Sequence, residues 1–248
     1  MKCIIDRNKL RNNNLNQTTP VQAPPVSPKH FYGEGKTDFD AIKKYALDML
    51  EKPVMRVEAG FVSHPFIPRH AEDDEIDRYI MLARKRLSKA TTLLEIYSEV
   101  TPMHLPMFFG MTSSDLSLED YSKHLAQMWR LLEFPNTNVF VSVNTFIEMF
   151  KDADKTFLMD EEELEVYNNL PEEIVVYRGI NEHGSVEALS WSLDKDQAEW
   201  FAHRFDMFGT TGSLYQAYIK KEYVLAYISR EQEVVIDFRK ATNIQKIN

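Results

Sequence analysis

Two glutamates near the end of the chain, Glu231 and Glu233, have a residue type and spacing that could do chemistry. They stand before Val234-Val235-Ile236, whose β-branched apolar residues predict a buried strand that ends at Asp237. On an extended chain, residues two apart point to the same face, which would place the two carboxylates roughly 7 Å apart. Two like charges side by side are unfavourable unless water or a ligand compensates them. Taken alone, the pair fits a solvated strand end as well as a reactive site.

Two earlier stretches add a cation and a pair of hydroxyls. A strand-like run, Ile174 to Tyr177, leads into Arg178-Gly179, and a second short strand contains Ser190-Trp191-Ser192. A guanidinium can bind a diphosphate through two parallel hydrogen bonds, and a hydroxyl can orient a carboxylate. The ordinary alternatives are a salt bridge in the core for Arg178 and water-facing positions on an edge strand for the serines.

The order of these three sets resembles the Arg-Ser-Glu, or cholera-toxin-like, class of ADP-ribosyltransferases, whose signature is Arg…Ser-Thr-Ser…Glu-x-Glu. The likeness covers about 171–238 and is greatest to small members from bacteria and their phages. The matching stretches are Val176–Gly179, Leu189–Leu193, Ala198–Ala202, Val224–Tyr227 and Glu231–Val235. In one departure from the signature, Trp191 replaces the middle threonine. Because side chains alternate along a strand, this residue is expected to point away from the two serines.

The resemblance implies that the substrate is NAD and that Glu233 is the catalytic carboxylate. Cleavage of the nicotinamide–ribose bond passes through an oxocarbenium-like ribose, as in glycoside hydrolysis. A carboxylate that hydrogen-bonds the ribose 2′-OH stabilises this cation, since the bond strengthens as the charge develops. Arg178 would bind the diphosphate or the adjacent ribose, and Gly179 would let the backbone approach the carboxamide closely.

Further roles follow from the same resemblance. Ser190 would orient Glu233 by a hydrogen bond, and Ser192 would support the pocket. Tyr177 and Phe201 complete the predicted NAD-binding set. For the aromatic residues after the serines, core packing is the more ordinary role, although each could stack on nicotinamide. These residues are Trp200, Phe201, Phe205 and Phe208.

Glu231 suggests which side chain accepts ADP-ribose. In this class, a glutamate at that position accompanies transfer to arginine, whereas a glutamine accompanies transfer to asparagine or cysteine. A carboxylate suits a guanidinium because the charges pair and because arginine must lose a proton to attack. We therefore expect an arginine of a host protein, which would be inactivated, and we expect Tyr227, Ser229 and Arg230 in the turn that touches it. Two alternatives stay open: NAD hydrolysis, with water as acceptor, and a degenerate relative that acts as a binding inhibitor without catalysis.

Composition limits the partners and the compartment. The 248 residues suffice for one large domain or two small ones, and the net charge of −9 disfavours nucleic acid as the acceptor. The single cysteine, Cys3, permits no intrachain disulfide and favours a reducing cytoplasm, here that of a bacterial host cell. No apolar run is long enough to span a membrane, and the apolar stretch at 1–7 is too short for a signal peptide. The spacing of His64, His70 and His104 predicts no metal site.

The predicted fold class is α+β, with a helical N-terminal region before a β-rich core of two packed sheets around an NAD cleft. We expect an extended or mobile tail at 1–30 and a helical region at 31–112 that is a candidate surface for target recognition. The ADP-ribosyltransferase domain would occupy 113–248, with a helical cap at 113–170 and the catalytic β core at 171–248.

Helical periodicity and capping residues place the individual elements. A helix is predicted from Thr37 to just before Pro53, followed by a long amphipathic helix from Asp73 to Val100. An apolar loop is predicted from Thr101 to Gly110. Further helices should begin at Ser117, Ser142, Asp160 and Asp194, and two more strands should cover Ser213–Ile219 and Tyr223–Ile228.

Overall fold

The computed structural model describes residues 30–57, 60–132, 135–181, 184–204, 206 and 211–247. The helices are α1 (Phe39–Met49), α2 (Ile76–Lys89), α3 (Leu93–Tyr97), α4 (Leu105–Thr112), α5 (Leu118–Leu131), α6 (Val143–Asp152), α7 (Lys155–Leu158), α8 (Glu161–Asn169) and α9 (Lys195–His203). The strands are β1 (Met55–Arg56), β2 (Val62–Ser63), β3 (Glu173–Asn181), β4 (Ser190–Ser192), β5 (Gly212–Lys220), β6 (Val224–Ile228), β7 (Glu233–Ile236) and β8 (Thr242–Lys246). The predicted α+β class, with helices first and a β-rich C-terminal part, is confirmed. The predicted tail at 1–30 lies outside the described residues, except for His30.

Capping side chains begin four of the helices where the sequence predicts them, whereas α1 is capped by Asp38 rather than by Thr37. Ser117, Ser142 and Asp160 each accept a hydrogen bond from the backbone N–H three residues on, and Asp160 forms a capping box with Glu163. Asp194 caps α9 in the same way. These four predicted starts are confirmed, so the helices that flank the β core are determined largely by local sequence.

Two predictions in the N-terminal region are wrong. The long helix predicted from Asp73 to Val100 is divided into α2 and α3, because Thr92 and Glu95 form a capping box that starts a new helix. The apolar segment predicted as a loop contains helix α4, whose first turn carries Pro106. Proline lacks the backbone N–H that the first turn of a helix leaves unused, so at this position it favours a helix start.

The strands of the C-terminal part form one antiparallel sheet in the order β6-β7-β4-β3-β5-β8. Strands β3 and β5 pair along their whole length, from Glu173 opposite Lys220 to Asn181 opposite Gly212. By contrast, β4 meets β3 at a single position, where Tyr177 lies opposite Ser192. The structure therefore differs from the predicted two packed sheets: two three-stranded halves are joined through β4, which is only three residues long.

One connected apolar core runs through the helices and the sheet. Its buried members extend from Ile42 on α1 to Ile236 on β7, so the helical region at 31–112 packs on the same core as the strands. Helix α9 lies directly on β3 and β5, where a methyl group at Gly179 or Gly212 would overlap the carbonyl of Ala198 or Ala202. The two glycines thus let α9 approach the sheet closely, beside the short strand that carries the serines.

Candidate active site

Strand β4 brings the predicted hydroxyl pair next to the predicted catalytic glutamate. Ser192 lies opposite Tyr177 of β3 on one side and opposite Glu233 of β7 on the other. Residues directly opposite each other share a face of the sheet, and Ser190 shares it as well because it is two residues from Ser192. Arg178 follows Tyr177 on β3, so the guanidinium, hydroxyl and carboxylate groups come from three neighbouring strands.

Glu233 is the first residue of β7, and its side chain is buried, with 9% of its surface exposed. Its Oε1 accepts a hydrogen bond from the indole N–H of Trp129 at 3.0 Å, and Ser190 lies on the adjacent strand β4. Burial raises the pKa of Glu233, while the Ser190 hydroxyl, the Trp129 N–H and the charge of Arg178 act in the opposite direction. The result is an oriented carboxylate in surroundings where charges interact strongly.

Strands β3 and β4 pair at a single position, and beyond it the Arg178 guanidinium links them by hydrogen bonds. Its Nε donates to the carbonyl of Ser185 at 2.9 Å, and its Nη1 donates to the carbonyl of Ser190. Burial lowers the pKa of Arg178 to about 10, with Glu233 opposing the shift, so the side chain stays charged at neutral pH. A cation is therefore fixed beside the strand that carries the serines.

Ser192 contacts the backbone rather than the glutamate. Its hydroxyl donates to the carbonyl of Gln232 at 3.4 Å and accepts from the N–H of Asp194 at 3.0 Å. It thereby joins the start of α9 to the residue just before Glu233. Trp191 lies buried on the other face, as alternation predicts, and its indole N–H donates to the carbonyl of Ala188 at 2.9 Å.

The prediction that Glu231 and Glu233 lie on one extended segment is wrong. Glu231 ends a short 3-10 turn, Ser229–Glu231, and Gln232 has a left-handed backbone with φ 48°. Strand β7 begins only at Glu233, so Glu231 is partly exposed in the turn while Glu233 is buried. The Gln232 side chain donates to the Asp194 carboxylate at 3.1 Å, which holds the turn against the start of α9. The two carboxylates therefore have different environments.

The remaining predicted residues lie on β3, β6 and α9, and Tyr227, expected in the turn before β7, is instead buried within β6. Gly179 pairs with Leu214 on β5 and faces the backbone of α9, so helix packing by itself requires a glycine there. Phe201 on α9 packs against Trp200, with ring centroids 5.0 Å apart, and has the Arg204 guanidinium 5.0 Å from its ring centroid. Of the predicted aromatic candidates, Phe205 and Phe208 lie outside the described residues.

Trp129 is a site residue that the sequence did not reveal. It lies on α5, four residues after the core residue Leu125, and packs edge-on against Phe146 and Phe150 of α6. A tryptophan on the apolar face of a helix is expected to belong to the core, but its buried N–H needs an acceptor. The sequence therefore indicates that the Trp129 N–H has a hydrogen-bond acceptor, but it does not show which residue this is.

A second unforeseen contact holds the turn that carries Glu231. Glu163, at the third position of α8, is only 2% exposed and pairs with Arg130 of α5 at 2.6 Å. Its Oε1 also accepts from the backbone N–H of Ser229 at 3.0 Å and from the hydroxyl of the same residue at 3.2 Å. The acidic run at the start of α8 therefore caps the helix and also anchors the turn before β7.

Comparison of this chain with protein-family models, with curated proteins and with solved structures found no match. In the part of the chain that the structure describes, no three His, Cys, Asp or Glu side chains are grouped as metal ligands. The described helices include none with both the length and the apolar character needed to cross a bilayer. A function must therefore be inferred from the site residues themselves.

Proposed function

We propose that this protein is a mono-ADP-ribosyltransferase that moves ADP-ribose from NAD to an arginine side chain of a host protein and so inactivates that protein. The observation that carries the proposal is the environment of Glu233. Its buried carboxylate accepts a hydrogen bond from Trp129, Ser190 lies on the adjacent strand β4, and the charged Arg178 lies on β3. The arrangement combines an oriented anion with a fixed cation, which the cleavage of NAD requires.

In the proposed reaction, the bond between nicotinamide nitrogen and ribose C1′ breaks, and nicotinamide leaves with the bonding electrons. Positive charge then develops on the ribose. Glu233 accepts a hydrogen bond from the ribose 2′-OH and stabilises that charge. Because the carboxylate is buried and already oriented, little reorganisation is needed as the charge forms.

The Arg178 guanidinium offers a place for the dinucleotide. Strands β3 and β4 pair only at Tyr177, and beyond that position the guanidinium bridges them through the carbonyls of Ser185 and Ser190. The fixed positive charge suits the diphosphate or the adjacent ribose.

The turn before β7 supports arginine as the acceptor. Glu231 is partly exposed there, apart from the buried Glu233, and a carboxylate in that position can pair with an incoming guanidinium. Glu231 then accepts the proton that the arginine nitrogen loses as that nitrogen bonds to C1′. Because Glu163 and Asp194 each hold the turn by hydrogen bonds, Glu231 is presented by a fixed piece of backbone.

The test uses labelled NAD, a host lysate and three glutamate-to-glutamine variants. Wild type and the exposed control Glu222→Gln should label a host protein, and mass spectrometry should find ADP-ribose on arginine. Glu233→Gln should lose both labelling and NAD cleavage. Glu231→Gln should lose labelling but still release free ADP-ribose. Equal labelling by wild type and Glu233→Gln would show that the assignment is wrong.

Two other results would identify the alternatives. Release of ADP-ribose by wild type with no labelled protein would indicate NAD hydrolysis. Absence of NAD binding in calorimetry, together with unchanged binding of a host protein by Glu233→Ala, would indicate a non-catalytic inhibitor.

A further inference from the structure

The Glu233 carboxylate receives a hydrogen bond from a residue 104 positions away on a different layer of the fold. The donor is the indole N–H of Trp129, near the end of α5, and the acceptor is Oε1. The other described groups that affect this carboxylate are Ser190 on β4, Arg178 on β3 and Glu231 in the turn before β7, none of them on an α-helix. Helix α5 is therefore the only described helix known to contribute a hydrogen bond to it.

We propose that Trp129 is a positioning residue for Glu233: its indole N–H fixes Oε1 and favours the ionised carboxylate that the reaction needs. The proposal rests on the proposed function, because it assigns a role in that reaction. It extends the function by making the helical layer at 113–170 part of the catalytic apparatus and not merely a cover for the sheet.

The ring of Trp129 is held so that its N–H has a fixed direction. Phe146 and Phe150, one turn apart on α6, pack edge-on against the indole with centroid distances of 5.5 Å and 5.0 Å. Both phenylalanines are fully buried. With its ring packed against both phenylalanines, the indole points its only polar atom at the glutamate.

An indole N–H with a purely structural role can donate to a backbone carbonyl. Trp191 of this protein does so. Trp191 is buried to the same degree as Trp129, and its N–H donates over a similar distance to the carbonyl of Ala188. Burying an ionised carboxylate is unfavourable unless it is paired and hydrogen-bonded, so the N–H of Trp129 offsets part of the cost of burying Glu233. The difference between the two tryptophans points to a role for Trp129 in holding Glu233.

The groups around Glu233 determine the sign of the expected pH effect. Ser190, Trp129 and Arg178 favour the ionised carboxylate, while burial and the charge of Glu231 disfavour it, and β6 places only the apolar Ile228 opposite. Loss of the indole N–H removes one of the favourable contributions. The pKa of Glu233 should therefore rise further, and the pH below which activity falls should rise with it.

The first experiment compares Trp129→Phe with the matched control Trp191→Phe. Each change keeps an aromatic ring and removes one buried N–H. We expect Trp129→Phe to lower kcat by about ten- to a hundred-fold, the size of a hydrogen bond to a charged group. Its KM for NAD should change by less than about threefold, because ground-state binding is not affected. The acid limb of kcat should move to higher pH in Trp129→Phe and stay in place in Trp191→Phe.

The second experiment does not require catalysis. The chain has three tryptophans, so its ¹H–¹⁵N spectrum contains three indole signals that single Trp→Phe variants assign. The Trp129 signal should shift as Glu233 titrates, and Glu233→Gln should abolish the shift. The Trp191 signal should not follow this titration.

The outcomes separate the inference from the function that it deepens. The inference would be overturned if Trp129→Phe and Trp191→Phe lost kcat equally and neither shifted the acid limb of its pH profile. Trp129 would then be a packing residue. The inference would also be overturned if the Trp129 indole signal did not shift as Glu233 titrates. If wild type does not cleave NAD but the Trp129 signal follows Glu233, the contact stands and the proposed function fails.

Discussion

Trp129 and Arg130, consecutive residues near the end of α5, are linked to the two ends of the turn between β6 and β7, Trp129 directly and Arg130 through Glu163. Trp129 donates to Glu233, which begins β7, and Arg130 pairs with Glu163, which accepts from the backbone of Ser229. Consecutive residues on a helix diverge by about 100°, so one helical turn can reach two separate points. The turn that carries Glu231 is thus held from both sides by the helical layer.

Loss of the Glu163 carboxylate should loosen this turn. Glu163→Gln removes the charge that pairs with Arg130 and weakens the hydrogen bonds to Ser229, so we expect the free energy of unfolding to fall by about 2 kcal/mol. Urea denaturation measures this change. The matched control is Glu162→Gln, an exposed neighbour in the same helical turn, which should unfold near the wild-type midpoint. Equal midpoints for the two variants would contradict the anchoring role of Glu163.

A methyl group at Gly179 should displace α9 from the sheet. The added Cβ would overlap the carbonyl of Ala198, and the backbone of a packed helix cannot move aside as a side chain can. We expect Gly179→Ala to lower the free energy of unfolding by about 3 kcal/mol. Gly35→Ala provides the control, because a Cβ at that residue would meet no atom within 4 Å beyond its chain neighbours. Similar stabilities of the two variants, measured by urea denaturation, would show that α9 does not depend on this close approach.

Two buried histidines in the N-terminal region should make stability depend on pH. Burial lowers the pKa of His64, and it lowers the pKa of His104 to about 4. The unfolded chain binds protons at both sites below about pH 6.5, whereas the native state does so only at lower pH. Stability is therefore complete above about pH 6.5 and should decline as the pH falls towards 4.

Denaturation midpoints between pH 7 and pH 4 check this prediction. His104→Gln should flatten the decline, because it removes one of the groups that take up a proton on unfolding, which include His64 and His124. The exposed His70 offers a control, since His70→Gln should leave the slope as it is in wild type. If the denaturation midpoint of His104→Gln fell with pH as steeply as that of wild type, other groups would be the cause of the decline.

Much of the local structure could be predicted from the sequence. Capping by Ser117, Ser142, Asp160 and Asp194 depends on residues within one helical turn, and those helices begin where predicted. The split at Thr92 could also have been predicted, since Thr92 and Glu95 form a local capping box. The split was not predicted because the amphipathic periodicity continues across the break.

The site could be predicted only in part. Adjacent strands bring Ser190 and Glu233 together, but the left-handed backbone at Gln232 was not foreseen, because only glycine commonly signals such a conformation. The contact between Trp129 and Glu233 joins distant parts of the chain through tertiary packing. No local pattern specifies which acceptor a buried indole will find.

The central claim is that Glu233 is the carboxylate that drives cleavage of NAD. The most direct measurement is the rate of nicotinamide release from NAD by purified wild type, Glu233→Gln and the surface control Glu222→Gln. We expect wild type and Glu222→Gln to release nicotinamide at equal rates and Glu233→Gln to be slower by about a hundredfold or more. Release by Glu233→Gln at the wild-type rate, or no release by wild type, would contradict the account.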